Sequence, residues 1–110
     1  MLGRYRLGMV ERWVLLRGQT RLGVLRVVDV DQPWFECTFE PTAAFEQVRE
    51  LFYEERRLLE VGDMGAWSSA WERIAAQQLA LEPLDGSGRV DEFLLHIDGE
   101  TAGFAIELAV

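Results

Sequence analysis

The sequence contains no lysine and no asparagine, and it has one cysteine and one histidine among its 110 residues. Without lysine, the chain lacks a Schiff-base residue, an anchor for pyridoxal phosphate and a P-loop lysine. One cysteine excludes a disulfide within the chain, and with one histidine it excludes a zinc site built from several Cys and His ligands. Because lysine and asparagine have AT-rich codons, their absence indicates a GC-rich genome, most simply that of a high-GC bacterium.

The length of 110 residues and the mass of 12.6 kDa predict a single domain over residues 1–110. Apolar residues make up 49% and charged residues 27% of the chain, which is typical of a folded globule. The longest stretches without a charge, Met64–Trp71 and Ile74–Leu81, have eight residues each. A membrane helix needs about 20, so we expect no membrane span and a cytoplasmic location.

The net charge of −8 is unevenly placed along the chain. Residues 1–28 hold six Arg and one acid, whereas residues 29–110 hold five Arg and eighteen acids. We favour internal complementarity, in which basic strands lie beside acidic ones, over a basic patch that binds nucleic acid. A chain this acidic repels a phosphate backbone at long range, which disfavours nucleic acid as a partner.

Residue patterning predicts an α+β fold with an antiparallel β-sheet in the order β-β-β-α-α-β-β and two helices packed on one face. Residue composition and the alternation of apolar and polar residues predict strands at 9–16, 20–28, 34–40, 90–97 and 100–108. Apolar residues at helical spacing predict helices at 43–61 and 64–79. An extra short strand near 80–84 is left open.

Caps and turns define the ends of these elements. Thr42 is the predicted N-cap of the first helix, Gly62 closes it and Asp63 caps the second helix. Asp98-Gly99 between two β-rich runs predicts a two-residue hairpin turn. That turn places Phe93 opposite Phe104 and Leu95 opposite Ala102.

Candidate chemical groups are few, and the sequence predicts no catalytic residue, no metal and no cofactor. Cys37 alternates with apolar residues on the predicted core face, which indicates a buried, inert thiol. His96 is interpreted as a surface partner of Thr101. Asp29 and Asp31 are interpreted as turn residues rather than a magnesium pair. A chemical role for His96 or for the two aspartates stays open.

Two surfaces are candidates for binding a protein partner. Glu46, Glu50 and Glu54 recur at i, i+4 and i+8 of the first predicted helix, which indicates an exposed acidic ridge. Arg49 and Arg57, each three residues after a Glu, are placed to compensate part of that charge.

The second surface is the sheet face away from the helices, where Trp34 and Leu94 are predicted. The first strand adds either Val14 and Leu16 or Trp13 and Leu15 to that face, depending on its register. An exposed apolar patch predicts a homodimer or a standing protein partner. The alternative cover is the N-terminal segment 1–8.

We therefore expect a small acidic, non-enzymatic protein that binds another protein, in one version as an inhibitor or immunity-type protein. The alternative is a small ligand-binding domain or enzyme with a pocket between the sheet and the helices. The predicted inward positions are almost wholly apolar, which favours the first hypothesis.

Overall fold

The computed structural model describes residues 11–86 and 88–106, and the structural statements below refer to that part of the chain. Residues 9, 10, 107 and 108 of the predicted strands, and the N-terminal segment 1–8, lie outside it. The elements in chain order are β1 (Arg12–Arg17), β2 (Thr20–Asp31), β3 (Trp34–Pro41), a 3₁₀ helix (Ala43–Gln47), α1 (Arg49–Val61), α2 (Met64–Ala75), β4 (Leu79–Pro83), β5 (Leu94–Asp98) and β6 (Thr101–Ala105).

The six strands form one antiparallel sheet in the order β4-β1-β2-β3-β6-β5. Phe52 of α1 and Ile74 of α2 join the same hydrophobic core as the inward side chains of the strands. The predicted α+β fold, with an antiparallel sheet and two helices, is confirmed. The strand that the sequence left open near residues 80–84 exists as β4, which pairs with β1 at one edge of the sheet.

Alternation along the strands separates a core face, directed at the helices, from an outer face. On the core face the fully buried ring of Phe104 stacks on Phe35 with centroids 5.0 Å apart. Trp13 meets Phe104 edge-on at 5.3 Å. Their strands, β1 and β6, are three positions apart in the sheet, which is about 14 Å when a sheet is flat. The sheet therefore curls around its core.

A chain of aromatic rings connects the sheet to the helical layer. The ring of Phe39 lies 5.0 Å from that of Phe45, and Phe45 lies 6.0 Å from Phe52. Phe39 packs directly against the backbone at Gly23, where any Cβ atom would collide with the ring. Gly23 of β2 thus leaves the space that the Phe39 ring occupies between the sheet and the helices.

The predicted helix over 43–61 is wrong in its first turns. A 3₁₀ helix precedes α1, and Val48 separates the two. Thr42 does not cap this segment: its hydroxyl donates to the carbonyl of Arg21 at 2.7 Å and anchors the chain to β2. The predicted end is confirmed, because Gly62 adopts φ +78° after α1. The predicted Asp63 cap is also confirmed, by a 3.1 Å bond from the backbone N–H of Ala66.

The second helix is shorter than its predicted range of 64–79. Helix α2 ends at Ala75, Gln78 turns the chain with φ +56°, and Leu79 begins β4. Leu79 pairs with Arg17 of β1 and contributes to the core from the sheet. Within the described ranges, neither helix has both the length and the apolar character needed to cross a membrane.

The predicted register of the last hairpin is wrong by two residues. Leu95, not Phe93, lies opposite Phe104, and Asp98 pairs with Thr101. The two residues between this last pair, Gly99 and Glu100, form the turn. Of these two, only Gly99 has a positive φ, +64°, as in a type II′ hairpin. A shift of two residues keeps every side chain on its predicted face, which explains why the predicted core face is still correct there.

Replacing Phe104 with alanine should lower the free energy of unfolding by about 3–5 kcal/mol, because the change empties a fully buried site between two rings. Urea denaturation followed by circular dichroism measures this loss. The control is Val61→Ala, at a side chain that is 65% exposed, and its effect should stay within about 0.5 kcal/mol. Similar losses in both variants would contradict the assigned core.

Candidate partner-binding groove

Small side chains on the outer face of β6 form the floor of a groove, which we call the β6 groove. Ala102 and Phe104 point into the core, so Thr101, Gly103 and Ala105 occupy the outer face. Larger residues of the two neighbouring strands flank this floor in register: Trp34 and Glu36 on β3, and Leu94, His96 and Asp98 on β5.

The groove has a polar end and an apolar end. The polar end is a cavity of about 400 Å³ lined by Trp34, Glu36, Arg56, His96, Asp98, Thr101, Ala102 and Gly103. The apolar end is a cavity of about 450 Å³ lined by Pro33, Glu92, Phe93, Leu94, Ala105 and Ile106. The sequence-predicted residues Trp34 and Leu94 are thus brought to one groove, each directly opposite Ala105 in the sheet.

Trp34 leans across the floor of the groove and stacks on His96. The two ring centroids are 5.0 Å apart and the ring planes differ by 22°. The indole passes close to Gly103: a Cβ atom there would lie 3.8 Å from the indole and 3.6 Å from the Glu36 carboxylate, both ordinary contact distances. His96 lies opposite Gly103, so the prediction that it faces Thr101 is wrong.

A buried carboxylate stands behind His96. Glu55 of α1 is fully buried, and its Oε2 accepts a 2.6 Å hydrogen bond from the indole N–H of Trp67 on α2. The same Oε2 lies 2.7 Å from Nδ1 of His96, an ion-pair distance without a well-aligned N–H···O bond. Oε1 has no hydrogen-bond partner among the described residues. Glu55 therefore joins both helices to the edge strand.

Arg56, the next residue of α1, lies over the end of β5. Its guanidinium is 3.4 Å from Glu60 and 3.5 Å from Asp98. It borders the β6 groove on one side and, on the other, a cavity of about 260 Å³ between α1 and the last hairpin. Glu50 lines that second cavity, so the predicted ridge on α1 and the β6 groove are separate surfaces.

The groove carries negative charge that the described residues leave unpaired. Asp29 and Asp31, predicted in a turn, belong to the end of β2, where they lie opposite Glu36 and Trp34 respectively. None of the three acids makes an ion pair with a described residue. Like charges opposite each other on adjacent strands are destabilising, so a cation at Glu36 and Asp29 would relieve repulsion.

The predicted acidic ridge is partly compensated by arginine. Arg49 lies 2.7 Å from Glu46, and Arg57 lies 2.6 Å from Glu54, as the spacing predicted. The hydrogen bond from Arg57 holds the pKa of Glu54 below its ordinary value. Glu46 and Glu50 are exposed and Glu54 is half-buried. Because Glu46 belongs to the 3₁₀ helix, the three acids do not share one α-helical repeat.

The basic strand β2 lies beside β3, which carries Glu36 and Glu40, but inside the described ranges no ion pair joins the two strands. Arg12 lies directly opposite Arg26, and Arg17 donates to the side-chain oxygen of Gln47 at 2.9 Å.

The apolar part of the outer face is smaller than predicted. Val14 and Leu16 are the residues of β1 outside the core cluster, but they are only 3% and 7% exposed. Leu94 is 37% exposed and Trp34 is half-buried. The groove therefore contributes Leu94 and part of Trp34 to the accessible apolar surface of this face, whereas Val14 and Leu16 contribute little.

Sequence reasoning missed Glu55, although a signal was present. Glu55 lies three residues after Phe52 and three before Leu58, both of which are buried. A charged residue inside an apolar helical stripe requires a buried partner. The second missed residue, Gly103, gave no signal until the hairpin register placed it between Glu36 and His96.

Among residues 11–86 and 88–106 no three His, Cys, Asp or Glu side chains come together in a way that would hold a metal ion. Cys37 is buried, as predicted. Burial, and secondarily the charge of Glu36, raises its pKa from 9.0 to about 12. Comparison with known proteins gives no significant match to a protein-family model, a curated protein or a solved structure.

Cys37 should react slowly with Ellman's reagent between pH 7 and pH 9 in the native state. The thiolate is the reactive form, and a pKa of about 12 keeps the thiol protonated over that interval. In denaturing urea the same cysteine should react rapidly and increasingly with pH, because an exposed thiol ionises near pH 8.5. Fast stoichiometric labelling of the native protein would contradict the assignment.

Replacing His96 with phenylalanine should destabilise the fold by about 1–3 kcal/mol, because Glu55 loses one of its two partners. The aromatic ring is kept so that stacking on Trp34 survives. In a Glu55→Gln background the same replacement should cost less, since no buried charge remains to be paired. A double-mutant cycle in urea measures the coupling, and equal costs in both backgrounds would contradict the pairing.

Proposed function

We propose that the protein is a small cytoplasmic, non-enzymatic protein that binds a basic protein partner, as inhibitors and immunity-type proteins do. In this proposal the β6 groove is the contact surface and Trp34 is its central residue. The proposal concerns recognition and includes no chemical step.

One observation carries the proposal: a half-buried tryptophan, fixed by stacking on His96, lies beside carboxylates without ion pairs among the described residues. Tryptophan is among the residues that contribute most to protein interfaces. Carboxylates in its neighbourhood select a basic partner and speed its association. The net charge of −8 acts in the same direction.

A second copy of the chain is the other protein occupant that we propose for this face. Leu94 is exposed at the apolar end of the groove, and a two-fold contact would cover it on both copies. Val14 and Leu16 are already buried, so they add little apolar area for a second copy to cover. The case for a second copy is therefore weaker than the case for a basic partner.

The alternative function, a ligand-binding domain or enzyme, is favoured by the Glu55–His96 pair. A buried carboxylate that orients an imidazole beside a cavity is a common arrangement in catalytic sites. Against this alternative, the Thr101 hydroxyl, which lines the polar end of the groove, donates to the backbone carbonyl of Asp98 at 3.0 Å. Core side chains fill the interior between the sheet and the helices, and the cavity of about 260 Å³ between α1 and the last hairpin lies at its margin.

Affinity capture from a lysate of the source organism should retain a partner on the wild-type chain and lose it on Glu36→Arg. The matched control is Glu50→Arg on α1, which changes the net charge equally at another exposed site. Mass spectrometry compares the retained proteins, and raised salt should weaken retention because exposed charges are screened.

Loss of the partner with Glu50→Arg but not with Glu36→Arg would move the contact to the ridge of Glu46, Glu50 and Glu54 and contradict the groove. Retention of a differently tagged copy of the chain, abolished by Leu94→Glu, would make the second copy the occupant. A wild-type chain that retains no protein specifically would contradict an interaction function.

A further inference from the structure

We infer that the polar end of the β6 groove binds an arginine side chain of the partner, and that the apolar end binds an apolar side chain two residues away in an extended segment. This inference rests on the proposed function and specifies the chemistry that the groove recognises.

Among the charged side chains that line the polar end, one carboxylate has no ion-pair partner among the described residues. Arg56 is matched by Asp98 and Glu60 at 3.5 and 3.4 Å. Nδ1 of His96 lies 2.7 Å from the Glu55 carboxylate. Glu36 lines the cavity without an ion pair to a described residue, and Asp29 lies opposite it on β2. A cation is therefore the complementary group for this cavity.

The neighbourhood of Glu36 favours a guanidinium over an ammonium. The indole of Trp34 and the carboxylate of Glu36 line the same cavity, and both border the space beside the Cα atom of Gly103. A planar guanidinium stacks on an aromatic surface and donates two parallel hydrogen bonds to a carboxylate, whereas an ammonium is a compact, strongly hydrated charge. The cavity above Gly103 offers both partners at once.

The spacing of the two ends fits alternate residues of an extended chain. On β6 the polar end is lined by Thr101, Ala102 and Gly103 and the apolar end by Ala105, so their nearest floor residues, Gly103 and Ala105, are two positions apart. Residues i and i+2 of an extended segment point to the same side about 7 Å apart. An arginine and an apolar residue separated by one position therefore reach both ends, in either chain direction.

The probes are the capped peptides Ac-Arg-Ala-Leu-NH₂ and Ac-Leu-Ala-Arg-NH₂, together with versions in which citrulline, a neutral isostere, replaces arginine. Titration at low salt, followed by NMR, reports on the Trp34 indole N–H and the Gly103 amide. We expect at least one arginine peptide to shift both signals, and the citrulline version to bind about tenfold more weakly.

Two groove variants and one control locate the contact. Gly103→Ala places a methyl group between Trp34 and Glu36 at ordinary contact distances, 3.6–3.8 Å, so the fold accepts it. It should weaken peptide binding several-fold, and Glu36→Gln should weaken it about tenfold. The matched control Glu50→Gln should leave binding unchanged.

Each other outcome overturns the inference. Equal binding of arginine and citrulline peptides would show that charge is not recognised, and equal binding to all variants would place the contact elsewhere. If no peptide binds but capture of a protein partner still depends on Glu36, the inference fails and the proposed function stands. If a peptide binds in the groove and no protein is captured, the subsite stands and the proposed function fails.

Discussion

The carboxylate of Glu55 is fully buried and lies between three elements: α1, which carries it, α2, whose Trp67 donates to it at 2.6 Å, and β5, whose His96 lies 2.7 Å away. Removing a carboxylate from water costs several kcal/mol unless its partners compensate. The helices and the edge strand are therefore tied to one relative position, because any displacement would leave this charge without partners.

The outer face of the sheet depends on the same carboxylate, which reaches that face at His96. Glu55 contacts His96, His96 stacks on Trp34, and Trp34 passes close to Gly103. The side chains that shape the polar end of the groove are thus positioned from inside the domain. A surface fixed in this way loses little conformational entropy when a partner binds, which favours affinity.

The sequence predicted those parts of the fold that depend on local patterning. Alternation around Cys37 identified the core face of β3, and Gly62 and Asp63 marked the junction of the helices, since glycine and aspartate satisfy backbone groups at helix ends. Local patterning failed where a distant strand decided the conformation: Leu79 fits a helical stripe, but pairing with β1 draws it into the sheet.

The candidate groove was only partly visible for the same reason. Trp34 and Leu94 were assigned to one face because strand parity survives a shift of two residues in the hairpin. Their meeting with Glu36, His96 and Gly103 depends on the pairing of three strands. Glu55 depends on side chains from three elements, and no spacing within α1 reveals which of them supply its partners.

Gly23 has a consequence for how this fold changes over generations. The ring of Phe39 fills the space that a side chain at position 23 would need, and Phe39 continues through Phe45 and Phe52 into α1. A larger residue at position 23 would collide with this ring and also with the backbone carbonyl oxygen of Glu40, which lies 2.9 Å from where its Cβ atom would be. A smaller residue at position 39 would remove only the first collision. Replacement of this glycine in a descendant sequence therefore requires both a smaller side chain at position 39 and a shift of the β3 backbone at Glu40.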